Sequence, residues 1–304
     1  MTHEQASKRT YIIMLLVPLF WGASFPLAKH VTTEIPPLTA ATLRFGLAGI
    51  ILIVITSLRT QVKWRQVKRQ LKSLLAMSIV GIFGYNALFF FALTKTSAIN
   101  GSLIIATTPV FLALGAILFF GERQNKNLLI SLPLSLIGVL LVISKGSPMM
   151  LIQLDVNYGD LLFIGALACW TSHGLFGKAI MEDVSPLVTT TFTTVVGSLF
   201  LFIFAAVFEN SWSLILHMSL QAWIEMIFMV IFSSVIAFFL WNDGIHKIGA
   251  SISGMYLNLN PVNTALISVV LYGSYITGVQ IFGMILVLMS VYFVTVYDQS
   301  KKRK

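Results

Sequence analysis

Few side chains in this 304-residue chain are equipped for chemistry, and most of those few stand in apolar surroundings. Arg44, within PPLTAATLRF, is the one permanent charge well inside an apolar run. A central arginine in a membrane helix costs at least about 2.5–3.5 kcal/mol, so its presence requires a reason. One reason is snorkelling to the nearer interface, since Leu38 lies only about 9 Å away along a helix. The other is function, as an anion contact or as the partner of an acid in one conformation. His173, in ACWTSHGLFGKA, is the second anomaly. A free imidazole titrates near about pH 6.5, which makes His173 a candidate for carrying a coupling proton. The alternative is a hydrogen bond to a backbone carbonyl or a neighbouring helix.

The remaining candidates are aromatic, amide and hydroxyl groups. Trp21 and Trp170 lie about 12 Å, by helical rise, inward of Lys29 and Lys178, deeper than an interfacial anchor needs. Small or polar neighbours flank them (Gly22, Ser24; Thr171, Ser172), which suits either the walls of a cavity or tight helix packing. Tyr256, Asn260 and Asn263 are spaced four and three apart, one face of a helix, where asparagines act as substrate contacts or as glue between helices. Asn86 and Thr108 are the other expected polar lining. Pro109 and Pro261 fall inside predicted helices and are expected to kink them, freeing carbonyls that only protein or a water-filled cavity tolerates.

Other chemistries lack their residues. The single cysteine, Cys169, excludes an internal disulfide framework and leaves no metal-ligand set. No Gly-x-x-x-x-Gly-Lys-[Ser/Thr] loop is present for ATP, and no cofactor is expected. The carboxylates do not pair within apolar runs: Asp160 and Glu225 lie at helix starts, and Asp243 is placed to pair with Lys247 one turn on. A membrane enzyme acting on lipid-linked substrates would need convergent acids or a nucleophile with its base, and neither is found.

The elements that must position these residues follow from composition. Charged residues are 10 % of the chain and hydrophobic ones 57 %, the balance of an all-α integral membrane protein. Apolar runs of the length that crosses about 30 Å of hydrocarbon predict ten transmembrane helices. They fall at about 11–29, 38–57, 74–94, 98–119, 128–144, 159–178, 187–207, 223–243, 250–271 and 277–296. With both termini inside, the inner segments hold sixteen Lys/Arg against three outside (Lys29, Lys95, Lys145), the asymmetry expected of a cytoplasmic face. The net charge of +9 therefore reads as membrane topology, and no nucleic-acid partner is expected.

The chain also repeats. Sliding FWGASFPLAKHVTTEIPPLTAATLRF by 149 positions pairs Trp21 with Trp170, Lys29 with Lys178 and Pro37 with Pro186. A shift of 152 pairs Lys95 with Lys247, Thr108 with Asn260 and Pro109 with Pro261. Five helices per unit predict two inverted five-helix repeats, over 11–145 and 158–297, a frequent construction of secondary transporters.

With FWGASFPLAK, PPLTAATLRF, TPVFLALGAILFFGE and the weaker NLNPVNTALISVVLYGS, the chain resembles the EamA-type exporters of the drug/metabolite transporter superfamily from about Tyr11 to Tyr297. Where that family often closes the last segment with Gly-Glu, this chain has Gly273-Ser274. The resemblance implies a non-enzymatic secondary transporter in the plasma membrane that exports a small amino-acid-like or amphipathic metabolite by alternating access, with protons as a coupling partner. A nucleotide-sugar or organophosphate carrier is the alternative within the superfamily. It should line its site with several buried cations, and only Arg44 qualifies.

Overall fold

The computed structural model describes residues 9–96, 98–121, 126–144, 147, 149, 157–181, 183–272 and 276–301. Among these the regular structure is helical, with no strand. We number the long helices α1 (Arg9–Glu34), α2 (Pro37–Arg59), α3 (Leu71–Lys95), α4 (98–120) and α5 (Lys126–Ser144). They are followed by α6 (Tyr158–Ile180), α7 (Pro186–Phe208), α8 (Leu220–Ile248), α9 (250–272) and α10 (Gly278–Lys301). Five of them, α1, α2, α3, α7 and α8, are long and apolar enough to cross a membrane. Their outward faces agree: Leu58, Val207, Phe208 and Leu220 are all more than two-thirds exposed, a surface suited to acyl chains.

Four helices are irregular, and the irregularities fall in pairs. α3 passes through a π-helical stretch at Ser78–Gly84 and α8 through another at Met229–Ile236, about the 152-residue offset read from the sequence. α4 breaks at Ala106 and Thr107, and α9 passes through a 3₁₀ turn at Tyr256–Leu259, again at that offset. Pro109 and Pro261 each occupy the second position of the α-segment that follows, where a missing N–H costs nothing. The expected kink is thus an interruption. Thr107 and Thr108 hydroxyls donate to the Ile104 and Ile105 carbonyls left behind, at 2.6 and 2.5 Å.

Packing follows the same pairing. α5 lies along α10 and α2 along α7, while α3 packs on α6 as α8 does on α1. One end of the bundle is tied by carboxylates. Glu209, after α7, accepts from the Leu38 and Thr39 amides that open α2, at 2.8 and 2.7 Å. Glu34 accepts from the Ser219 amide and hydroxyl, and Glu225 pairs with His30 at 2.7 Å. At the opposite end Asp183 accepts from Arg69 and Gln70, joining the segment before α3 to that before α7.

Candidate functional site

α1, α2, α3, α6, α8 and α9 converge on a central cavity of about 40 Å³, room for roughly three water molecules. Its walls are mainly aromatic. Trp21 from α1 meets Trp170 from α6 edge to face, with centroids 5.1 Å apart, and Tyr85 from α3 packs on the other side of Trp170 at 5.0 Å. Phe238 closes on both tryptophans, and buried Trp241 backs them. Rings at these separations and tilts are each held by about 0.5–1.5 kcal/mol beyond the area they bury.

The polar groups are few and individually positioned. Arg44 is 5 % exposed and points inward rather than to the interface, which removes the snorkelling alternative. Its Nε donates to Ser234 Oγ at 2.8 Å, and its guanidinium lies 5.1 Å from the centre of the Phe45 ring. No carboxylate stands within 4.0 Å of it among the described residues. The neighbouring Ser233 accepts from Trp21 Nε1 through its carbonyl at 2.8 Å, and its hydroxyl meets that of Ser24 at 2.7 Å. Both serines belong to the π-helical stretch of α8, whose wider turn presents consecutive residues to α1 and α2. Asn86 lines the cavity while its Nδ2 donates back to Ile82 O at 2.8 Å. Asn260 also lines it, and its buried Oδ1 has no hydrogen-bond partner.

The other candidates lie elsewhere. Thr108 is buried in the α4 break and bonded to Ile105 O. Tyr256 donates to Tyr11 O at 2.9 Å, fastening α9 to the start of α1. Asn263 packs against Gly22, where a Cβ would come within 2.8 Å of the Asn263 Cβ and 2.9 Å of Asn260 O, so α1 and α9 touch through a position that excludes a side chain. His173 is fully buried behind Trp170, whose ring it parallels at 5.4 Å, and its Nδ1 lies 3.3 Å from Met77 O. Asp243 and Lys247 form the expected pair at 2.7 Å.

Sequence reasoning passed over Ser24, Tyr85, Phe89, Ser233, Ser234 and Phe238. Two signals were available: Tyr85, Asn86 and Phe89 share one helical face, and Ser233-Ser234 is an isolated hydroxyl pair in the apolar run MVIFSSVIAFF. No cluster of metal-ligating residues occurs among the described residues.

The EamA-like transporter family model matches residues 8–144 and again 157–296. The uncharacterized transporter YyaM of Bacillus subtilis is 35 % identical over 92 % of this chain and 92 % of its own. A protein of Salmonella typhimurium named a "probable amino-acid metabolite efflux pump" is 24 % identical, covering 94 % of each chain. A solved crystal structure with 20 % identity superimposes with a TM-score of 0.75 over 95 % of this chain and 97 % of that one, which shows a shared fold.

Proposed function

The chain belongs to the EamA-like transporter family, a multi-pass membrane transporter and not an enzyme, and from that premise we propose that it exports a small amino-acid-like or otherwise amphipathic metabolite by alternating access. The observation that carries this reading is the contact of Trp21 with Trp170 beside the cavity. Side chains at matching positions of 11–145 and 158–297 then form one wall of a single site, as expected where two halves rock about a shared centre. The paired π-stretches and the exchange of helix contacts between the halves support two inverted five-helix repeats and ten crossings. The sixteen-to-three cation split supports a plasma-membrane orientation with both termini inside.

At about 40 Å³ the cavity is smaller than an amino acid, so a substrate enters a wider state of the same walls. The carboxylate ties at the ends of α1, α2, α7 and α8 lie on the outer side in this orientation and are contacts such a widening would break. His173 is the group we assign to proton coupling: it is sealed here and gains access to water only when α3 and α6 part. The name of the Salmonella relative supports an amino-acid-like cargo.

The test is efflux. Cells overproducing the protein, loaded with a panel of labelled amino acids, their N-acyl derivatives and small aromatic acids, should lose at least one compound faster than cells carrying an empty vector. Equal retention of every compound would sink the exporter reading.

A further inference from the structure

We propose that Arg44 is the anion-recognition residue of the central cavity and that the transported molecule carries one carboxylate, with a hydrogen-bond donor a few atoms away that reaches Asn260 Oδ1. The inference rests on the transport reading above and names its substrate class.

A guanidinium carries five N–H donors, and Arg44 uses Nε on Ser234 as its one hydrogen bond among the described residues. That bond holds the fork with its outer edge, the terminal nitrogens, toward the cavity, whose lining includes Arg44. A cation this deep with no carboxylate within 4.0 Å among the described residues leaves an uncompensated charge in an aromatic surround, which an arriving carboxylate neutralises through paired, charge-assisted hydrogen bonds. The remaining polar groups of the lining do not serve an anion as well. Asn86 spends one of its N–H groups on Ile82 O, and Ser24 is bonded to Ser233 and Phe20 O.

Charge balance selects among anions. A phosphate monoester carries about −1.5 to −2 at pH 7, and a single arginine would leave the surplus charge desolvated among Trp21, Phe25, Phe89, Trp170 and Phe238. A carboxylate matches the one cation. Asn260 Oδ1 supplies the complementary half of the recognition: it is a buried acceptor with no donor, on the α9 side of the same cavity, and an N–H or O–H on the ligand completes it. The rings take the apolar remainder. An ammonium in place of the carboxylate would face Arg44 directly and be repelled.

The experiment compares three molecules that differ only at the charged end: 3-phenyllactate, its primary amide, and 3-amino-1-phenylpropan-2-ol. Binding is read from tryptophan fluorescence of the purified full chain in nanodiscs, and flux from proteoliposomes loaded with each. The wild-type protein should bind the acid at least tenfold more tightly than the amide and bind the amine most weakly. Arg44→Gln should collapse the acid-to-amide ratio toward one, and Arg44→Lys should keep the order with a smaller ratio. The wild-type ratio stands as a test should Arg44→Gln fail to fold. Equal affinity for acid and amide, preference for the amine, or no binding of any of the three overturns the assignment. A ratio near one with measurable flux defeats anion recognition alone, and a ratio above ten with no flux defeats the transport reading alone.

Discussion

His173 rests directly on Gly81: a Cβ at Gly81 would stand 1.9 Å from the imidazole Nδ1, so the ring occupies the space a side chain on α3 would need. Gly81→Ala should therefore lower the melting temperature in detergent by several degrees, the effect of about 1–3 kcal/mol of overpacking. Adding His173→Ala should return most of the loss, because the clash is with that ring. A double variant no more stable than Gly81→Ala would show that α3 needs glycine for its own backbone.

Trp21→Ala and Trp170→Ala should each cut transport at least tenfold while leaving a monodisperse, folded protein. Each removes a wall of the cavity, and Trp21→Ala also frees the Ser233 carbonyl. Normal flux through both variants would reduce the tryptophans to packing residues.

The orientation is checked with one new thiol. With Cys169 replaced by Ala, Gln66→Cys places the only cysteine on the short helix Trp64–Arg69, beside Arg65 and Lys68. A membrane-impermeant maleimide should label it only after the cells are permeabilised. Labelling in intact cells would reverse the assignment of both termini to the inside.

Glu209 caps α2 from outside that helix, accepting from two first-turn amides and from the Thr39 hydroxyl at 2.8 Å. Glu209→Ala should destabilise the protein by about 1–3 kcal/mol in thermal unfolding, since orphaned amides at a helix N-terminus lose both their acceptor and a favourable charge. Glu209→Gln keeps one acceptor oxygen and should lose less. No change in either would make the cap incidental.

Proton coupling has its own readout. His173→Gln should still bind substrate, because His173 stands behind Trp170 rather than in the cavity wall. Flux in proteoliposomes with an imposed pH gradient should then become insensitive to that gradient. An undiminished response would leave His173 as a buried packing residue.

The helices were legible because apolar runs between charges are a direct record of what must be kept from water. The Trp21–Trp170 pair was legible for a different reason, since two weak positions became one strong one when the chain was laid on itself. Arg44 was visible as an anomaly, but whether it snorkels depends on Ser234, and no local pattern says that a residue 190 positions away will face it. Tyr256, Asn260 and Asn263 were assigned to one face by α-helical spacing. The 3₁₀ turn over Tyr256–Leu259 changes the rotation per residue just before Asn260, so only Asn260 reaches the cavity while Tyr256 and Asn263 turn to α1. The π-stretches escaped notice entirely, because hydropathy records which residues are apolar and carries no trace of an i→i+5 hydrogen bond.

Those stretches also make the chain unusually sensitive to its own residue count. A π-turn accommodates an extra residue in an α-helix, and each residue advances an α-helix by 100°. Deleting one residue within Ser78–Gly84 would let α3 close up as a regular helix, and everything after it would be out of phase with α6 by more than a quarter turn. Tyr85, Asn86 and Phe89 would swing off the cavity together, with no change in composition, hydropathy or charge. Length between fixed points on α3, rather than the identity of any residue there, sets which side chains the cavity receives.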